Sequence, residues 1–270
     1  MSGAFDQLVV LVTGASHGIG AELATQFAAE GARVAVAARN TAQLEQVALG
    51  CRALGADTLV VPTDVGVEAS CKAMIDATVA HFGRIDVLVN NAGIGASGRF
   101  DEITDLSLFE TLMRVNYLGS VWSTAYALPF LKQSRGRLVA ISSLTGLTGV
   151  PKRTAYAATK HAMAGFFDSL RIELQQSGVS VTVVYPGFVL SEINRHALSP
   201  NGQPFGDRGF QRTAVESMAV DTCCRIILRA VARRDRDVVM TWRGKIGRFL
   251  KVFAPAVVDA IARRTINARQ

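Results

Sequence analysis

The 270-residue sequence lacks a long hydrophobic run and has few cysteines. No stretch reaches the ~18 to 20 uncharged apolar residues that cross a bilayer, and residues 1–6 show neither the basic start nor the apolar core of a secretory signal. The four cysteines form no C-x-x-C pair and no cluster with histidine at zinc spacing. These absences argue against secretion, a disulfide framework and a bound metal, and they predict a cytoplasmic protein with reduced thiols.

Excess positive charge is also missing from most of the chain. The formal net charge is +7, but residues 229–270 hold 11 of the 29 basic residues and 3 of the 22 acidic residues. That segment therefore carries +8 and the remainder carries −1. A body without a basic surplus does not favour nucleic-acid binding, so we expect no nucleic-acid partner and would look for any acidic partner at the tail.

Short apolar runs alternate with longer helical patterns along the first 240 residues. Several runs are apolar at both alternating positions, which is typical of parallel strands covered by helices on both faces. The pattern predicts an α/β fold, a single domain over residues 1–240 with one doubly wound, Rossmann-type parallel sheet of seven strands. The predicted strands are Leu8 to Val12, Arg33 to Ala37, Thr58 to Val61, Asp86 to Val89, Arg137 to Ile141, Val179 to Val184 and Val238 to Met240.

A glycine-rich turn follows the first predicted strand and precedes a helix predicted from about Ile19 to Glu30. Glycines let the backbone approach a pyrophosphate, and a helix N-terminus offers free N–H groups and partial positive charge. An ordinary glycine-rich turn is the alternative interpretation. The candidate cofactor-binding residues here are Gly14, Ser16, His17, Gly18, Ile19 and Gly20.

The second predicted strand is followed by Arg39, where an NAD-specific site usually has an acid that binds the ribose 2′-hydroxyl. No acid is present, and an arginine can pair with a 2′-phosphate. The sequence therefore favours NADP(H), with NAD(H) as the alternative cofactor and a solvated surface arginine as the alternative role for Arg39.

Tyr156 and Lys160 are four residues apart, and this spacing places a phenol and an ammonium on one helix face. A phenol with a pKa of ~10 is a poor base at neutral pH. A nearby lysine and an oxidised nicotinamide would favour the phenolate and bring its pKa closer to neutrality. Taken alone, the pair is better explained as two residues that merely share a helix face.

Together with Asn90-Asn91-Ala92-Gly93 and Pro186-Gly187, these motifs resemble the short-chain dehydrogenase/reductase family, in particular its NADP-linked ketone, hydroxysteroid and 3-oxoacyl reductases. The resemblance covers residues 8 to about 240. It implies an oxidoreductase that moves a hydride between NADP(H) and a small-molecule secondary alcohol or ketone.

The resemblance also implies a catalytic tetrad of Asn116, Ser143, Tyr156 and Lys160. Tyr156 would carry the proton, Ser143 would hydrogen-bond the substrate oxygen, and Lys160 would bind the nicotinamide ribose. Asn116 would hold, through its helix backbone, a water that leads to Lys160. Ser142 is the competing choice for Ser143.

Further cofactor contacts follow from the same resemblance. Asp64 is expected at the adenine, Asn90 at the adenine ribose, and Val189 and Ser191 at the nicotinamide carboxamide. His17 lies where NADP-linked members often have a lysine or arginine, so one expected phosphate ligand is weaker. The remaining predicted cofactor-binding residues are Val65, Ala92, Gly93, Pro186 and Gly187.

Substrate and assembly are less constrained. Residues 188–212 are predicted to form a substrate loop, and the candidate pocket residues are mostly apolar, which favours a lipophilic substrate. They are Ile94, Leu144, Thr145, Pro151 and Phe188. The resemblance implies a homodimer or homotetramer, assembled through helices at residues 107–132 and 152–177.

Residues 241–270 form a basic amphipathic extension, which Pro255 should divide into two short helices. Its residues 243–264 would either contact a membrane surface or dock on the body or on a second subunit. Two alternatives to an enzyme stay open. One is a cofactor-binding regulatory or scaffolding protein, and the other is a peripheral membrane protein that acts through this tail.

Overall fold

The computed structural model describes residues 3–189, 197–206 and 217–267, with side chains up to residue 264. Its centre is a seven-stranded sheet in the order β3-β2-β1-β4-β5-β6-β7, and every neighbouring pair is parallel. The chain order reverses between β1 and β4. In open α/β sheets ligands bind at such a reversal, outside the carboxyl ends of the strands.

The strands lie within one residue of their predicted positions. Valine, alanine and leucine fill both faces of the central strands, as burial on both sides requires. The predicted doubly wound parallel sheet is therefore confirmed. The strands are β1 (Val9–Thr13), β2 (Arg33–Ala38), β3 (Thr58–Pro62), β4 (Val87–Asn90), β5 (Arg137–Ile141), β6 (Ser180–Tyr185) and β7 (Asp237–Val239).

Helices cover both faces of the sheet and bury one hydrophobic cluster on each side. The cluster on one face includes Phe27, Leu44 and Ile227, and the cluster on the other includes Met74, Leu131 and Phe167. The helices are α1 (Gly18–Ala29), α2 (Thr41–Ala53), α3 (Glu68–Phe82), α4 (Ser107–Leu112), α5 (Gly119–Ser134), α6 (Thr154–Glu173), α7 (Val220–Arg233), α8 (Trp242–Phe253) and α9 (Pro255–Asn267). A π-helix over Met113–Leu118 joins α4 to α5.

The C-terminal extension consists of α8 and α9. Thr241 is the N-cap residue of α8, because its hydroxyl accepts a hydrogen bond from the Gly244 N–H at 3.0 Å. Pro255 is the first residue of α9, where a missing N–H costs least. The predicted division at Pro255 is therefore confirmed. Within the described residues, no helix has both the length and the apolar character needed to cross a membrane.

Candidate active site

The turn between β1 and α1 brings the main chain close to the segment after β4. Gly14 has φ +66°, and a Cβ there would lie 2.7 Å from the Cα of Ala92. A Cβ at Gly20 would lie 2.3 Å from the carbonyl oxygen of Gly14. Only glycine fits at these positions, so the predicted glycine-rich turn presents main-chain atoms without side chains at the first turn of α1. We call this turn the glycine cradle. That first turn holds no acidic residue that would repel a phosphate.

The side chains of Thr13 and Asn91 stabilise the glycine cradle by hydrogen bonds. Sequence reasoning selected neither of them as a site residue. The hydroxyl of Thr13 donates to the Val89 carbonyl at 3.2 Å and accepts from the N–H groups of Asn91 and Ala92, each at 3.1 Å. The Asn91 amide donates to the carbonyls of Thr13 and Gly14 at 3.0 and 3.1 Å. The two glycine-containing motifs therefore form one rigid unit at the reversal point of the sheet.

Arg39 directly follows β2 and is exposed. It makes no hydrogen bond or ion pair with any residue that the structure describes. Asn40 caps α2 by accepting the Gln43 N–H at 3.1 Å, so Arg39 is the residue directly before the N-cap of a helix. An arginine next to a helix N-terminus suits a phosphate, because both groups favour negative charge.

The other predicted cofactor residues surround the same edge of the sheet. Asp64 accepts the Gly66 N–H at 2.8 Å, and Val65 behind it is buried. Asn90 is buried, and its amide donates to the Thr124 hydroxyl at 3.0 Å, which ties β4 to α5. The Pro186 carbonyl accepts the Leu144 N–H at 3.1 Å, so the loop after β6 lies against the segment that holds Ser143.

At the end of that loop, Val189 pairs in a short bridge with Met218. Ser191 lies outside the described residues. Ser16 and His17 contact each other at 3.4 Å between Oγ and Nε2. No structural detail therefore bears on the expected carboxamide contact of Ser191.

The predicted catalytic side chains converge where β5, α6 and the π-helix meet. Tyr156 is in the first turn of α6, and the Ser143 side chain lies near enough to its phenol to lower the phenol pKa. The Lys160 Nζ lies 5.7 Å from the centroid of the Tyr156 ring. A Cβ on Gly93 would lie 3.1 Å from the Asn116 Oδ1 and 3.7 Å from the Lys160 Nζ. The structure therefore brings all four members of the implied tetrad together.

Ser142 and Ser143 have different surroundings. β5 ends at Ile141, so neither serine belongs to the strand. Ser142 is buried, and its hydroxyl donates to the Lys160 carbonyl at 3.2 Å. Ser143 is partly exposed, and it contacts the phenol. This geometry favours Ser143 over Ser142 as the hydrogen-bonding partner of a substrate.

Asn116 lies in the π-helix, and three hydrogen bonds to residues outside this helix hold its side chain. Its Oδ1 accepts the Ile94 N–H at 2.8 Å, and its Nδ2 donates to the Ile94 carbonyl and to the Thr159 hydroxyl, each at 3.0 Å. Thr159 in turn donates to the Tyr156 carbonyl at 2.8 Å. Short π-helical segments often mark functional sites. Here the segment fixes Asn116 against α6, and Thr159 is a positioning residue that sequence reasoning missed.

The electrostatics of Tyr156 and Lys160 differ from the sequence-based expectation. Burial raises the pKa of Tyr156 above its ordinary value of 10.0, while the charge of Arg153 and the hydrogen bond with Ser143 lower it. Lys160 is not among the groups that lower it. Burial also lowers the pKa of Lys160 to about 8, which reduces the charge that this lysine offers the phenol. Burial therefore opposes the phenolate form of Tyr156.

An apolar cluster surrounds the exposed side of Tyr156, and we call it the Tyr156 apolar cluster. Leu198, from the described part of the predicted substrate loop, pairs with Ala96 after β4 and covers this region. Sequence reasoning selected Tyr156 and Ile94 of this cluster by name, and it placed Leu198 in the substrate loop. Its buried members are Ala96, Leu108, Leu112 and Ala155, with Ile94, Ile103, Phe109, Tyr156 and Leu198 packed against them.

The other pocket candidates are dispersed around this cluster. Pro151 and Phe188 are exposed, and Leu144 lies between Gly187 and α8. The Thr145 N–H donates to the Ser143 hydroxyl at 3.2 Å. Thr145 therefore orients Ser143 through its main chain.

Comparisons with known proteins agree with this architecture. The family model for short chain dehydrogenase matches residues 8–201. The chain belongs to the short-chain dehydrogenase family. A relative from Arachis hypogaea called 11-beta-hydroxysteroid dehydrogenase A is 38% identical over 256 residues, which are 93% of this chain and 73% of the relative. A Dictyostelium discoideum relative called dehydrogenase/reductase SDR family protein 7-like is 33% identical, over 95% of this chain and 81% of its own length.

Two solved structures extend the comparison. A short-chain dehydrogenase/reductase from Burkholderia phymatum in complex with NAD superposes with a TM-score of 0.85 at 25% identity, covering 94% of this chain and 96% of its own. An alcohol dehydrogenase from Thermococcus sibiricus complexed with 5-hydroxy-NADP gives a TM-score of 0.73 at 25% identity. The match covers 86% of this chain and 94% of the alcohol dehydrogenase. Both of these structures hold a nicotinamide cofactor, NAD in the first and 5-hydroxy-NADP in the second.

The buried Lys160 leads to a prediction about stability. Its pKa is 10.5 in a solvated chain and about 8 when folded, so burying its charge opposes folding by about 3 kcal/mol below pH 8. This penalty disappears as the pH rises from 8 toward 10.5, since the unfolded chain then loses the proton as well. Lys160→Met should raise the free energy of unfolding by about 2 kcal/mol at pH 7, after the lost hydrogen bond to the Ile141 carbonyl is subtracted.

Urea unfolding of the cofactor-free protein at pH 7 and pH 10 measures this effect. The difference in the free energy of unfolding between Lys160→Met and the unsubstituted protein should be smaller at pH 10 than at pH 7. Lys132→Met, at an exposed lysine of α5, serves as the control and should change stability little at either pH. A difference that is absent at pH 7, or that is independent of pH, would show that the Lys160 charge is solvated.

Proposed function

We propose that the protein transfers a hydride between NADP(H) and a lipophilic secondary alcohol or ketone, with Asn116, Ser143, Tyr156 and Lys160 as its tetrad. The observation that supports this most is the convergence of Ser143 and Lys160 on Tyr156. The Ser143 side chain lies near enough to the phenol to lower its pKa, and the buried Lys160 Nζ lies 5.7 Å from the ring centroid. A phenol and a hydroxyl that meet at one point can both bind a single carbonyl oxygen. The complete set of four side chains favours an enzyme over a scaffolding protein.

The cofactor would lie along the edge of the sheet from Arg39 to Lys160. The backbone around Gly14 and Gly20 fits a pyrophosphate, because any Cβ would fill the space it needs. Arg39 would bind the 2′-phosphate and so favour NADP(H) over NAD(H). A nicotinamide bound there supplies or accepts the hydride.

The chain's own residues would supply the rest of the chemistry. Ser143 would donate a hydrogen bond to the carbonyl oxygen of the substrate, and Tyr156 would donate the proton that this oxygen needs when it is reduced. Since burial raises the pKa of the Tyr156 phenol, it favours the protonated form that can act as an acid. This state favours reduction of a ketone. Lys160 and Asn116 would replace the lost proton along a route toward solvent.

The Tyr156 apolar cluster favours a lipophilic substrate. The plant relatives are called hydroxysteroid dehydrogenases, so a ring ketone of that class is the first substrate to test. NADPH oxidation, followed by its absorbance, should be detected with such ketones and not with sugars of similar size. Loss of NADPH without formation of an alcohol, or turnover of the sugars alone, would contradict the proposal.

We also propose that the enzyme is a homodimer or homotetramer. The helices expected at such an interface are the continuous segment from α4 to α5 and the long α6. Leu106, directly before α4, and Ile172, on α6, are large apolar side chains that are exposed. Light scattering at micromolar concentration should report a mass of at least twice 28.8 kDa, and a monomer would contradict this assembly.

A further inference from the structure

Helix α8 exposes its apolar face. Trp242, Ile246, Phe249 and Phe253 follow one another at intervals of four, three and four residues, which places them on a single helix face. Their exposed fractions are 67%, 47%, 66% and 72%. A helix that docks on a protein core normally buries such a stripe, so this helix presents the stripe to its surroundings.

The opposite face of α8 holds it to the body. A Cβ at Gly244 would lie 2.5 Å from the Leu144 side chain, so the helix backbone approaches the body closely here. Arg248 forms an ion pair with Asp237 at 2.9 Å, and the Lys251 Nζ donates to the Leu147 carbonyl at 2.7 Å. These contacts fix the orientation of α8, because they engage its small and charged residues and leave the apolar stripe outside.

The exposed stripe continues onto α9. Val258 is buried where α9 packs on α8, while Val257 and Ile261 are exposed. The exposed side chains of α8 and α9 together form what we call the C-terminal patch. Its members are Trp242, Ile246, Phe249, Val252, Phe253, Val257 and Ile261. It contains seven of the fourteen large hydrophobic side chains that are exposed in the described part of the chain. Such a concentration within twenty residues marks an interaction surface.

Basic residues surround the C-terminal patch. They are Arg243, Lys245, Arg263 and Arg264, and Asp259 is the one acid between residues 242 and 264. A symmetric contact between two copies would bring the same patch and the same positive charges together. Charge complementarity therefore favours an acidic surface over a second copy of this chain.

We propose that the C-terminal patch binds the surface of an anionic lipid bilayer. The apolar stripe would enter the boundary between headgroups and acyl chains, and the basic side chains would contact the anionic headgroups. With 12 and 13 residues, α8 and α9 would lie in the plane of the surface. This combination of an apolar face and positive charge is that of an interfacial amphipathic helix.

The position of the patch links it to the candidate active site. Thr241 lies against Gly187, and α8 contacts Leu144, the residue after Ser143. A lipophilic substrate dissolved in the bilayer would therefore be held close to the site. That consequence rests on the proposed function, whereas the membrane binding itself does not.

Sedimentation of the full chain with lipid vesicles tests the binding independently of turnover. The unsubstituted protein should sediment with vesicles of phosphatidylcholine and phosphatidylserine, bind less to phosphatidylcholine alone, and dissociate as salt is raised. The double variant Phe249→Gln/Phe253→Gln should bind the anionic vesicles at least about tenfold more weakly, since each buried apolar side chain contributes a kcal/mol or more. Both phenylalanines are exposed, so the fold should be unaffected.

A matched control variant is Leu49→Gln/Leu54→Gln, which removes two side chains that are 54% and 50% exposed outside the patch. It should bind the vesicles as the unsubstituted protein does. Failure of the unsubstituted protein to bind anionic vesicles, or equal loss in both double variants, would overturn the proposal. Light scattering adds one more outcome: a dimer that only the phenylalanine variant dissociates, without vesicle binding, would assign the patch to a second copy and overturn it too.

Discussion

Tyr156→Phe is expected to lower kcat by at least ~100-fold while the affinity for NADPH stays nearly unchanged. General acid catalysis contributes about 10² or more to a rate, and this substitution removes the hydroxyl that would carry the proton. The aromatic ring keeps its place in the Tyr156 apolar cluster, so the pocket should retain its shape. The loss should therefore appear in kcat and not in cofactor binding.

Steady-state turnover of a ketone with NADPH, together with calorimetric titration of NADPH, measures the two effects separately. Tyr126→Phe is the matched control, because Tyr126 is a phenol on α5 whose hydroxyl bonds Glu68 at 2.8 Å, away from the site. It should leave kcat and NADPH affinity unchanged. Retention of more than about a tenth of kcat by Tyr156→Phe would refute the role of Tyr156 as proton carrier.

The sheet was predictable from the sequence because its strands are buried on both faces. Runs such as those of β1 and β5 contain almost no polar residue, and short apolar runs separated by helix-length segments leave few other arrangements. The Gly14 turn was predictable for a related reason. Its positive φ and the close approach of Ala92 admit only glycine, so the residue type reveals the geometry.

Other parts of the site depend on contacts between distant segments. Asn116 lies in a π-helix that the local sequence does not indicate, and its orientation follows from Ile94 and Thr159. The pKa shifts of Tyr156 and Lys160 depend on burial by residues from several helices. Arg153 precedes α6 by one position, and its effect on the phenol is visible only in three dimensions.

The orientation of the C-terminal extension also depends on contacts between distant segments. Its amphipathic pattern predicted two helices with an apolar stripe, and that pattern is equally compatible with a stripe that faces inward or outward. The direction is set by Gly244 against Leu144 and by Arg248 with Asp237, which are contacts between residues far apart in the sequence. The sequence therefore specified the helices, and tertiary packing decided which face is exposed.

Cofactor choice gives the second large expected effect, and it depends on Arg39. This side chain is exposed beside the N-terminus of α2, and the preceding Ala38 occupies the last position of β2. A charge-assisted contact with a 2′-phosphate contributes ~1.5 to 3 kcal/mol. Arg39→Ala should therefore lower kcat/KM for NADPH by roughly 10- to 150-fold and change that for NADH little.

The double variant Ala38→Asp/Arg39→Ala should reverse the preference. A carboxylate at the end of β2 would accept a hydrogen bond from the free 2′-hydroxyl of NADH and repel the 2′-phosphate of NADPH, while the phosphate ligand is lost at the same time. Arg229→Ala, at an exposed arginine of α7, is the control for removing a positive charge elsewhere. It should leave the ratio of the two kcat/KM values unchanged.

Steady-state kinetics with each cofactor at one saturating ketone concentration measure these ratios. The His17 side chain lies beside the same turn and contributes less than an arginine when neutral, so most of the preference should disappear with Arg39 alone. If the unsubstituted enzyme uses NADH as well as NADPH, or if Arg39→Ala impairs both cofactors equally, then Arg39 does not recognise the 2′-phosphate. In that case the carboxylate at position 38 should improve NADH use without any reversal, because there would be no NADPH preference to remove.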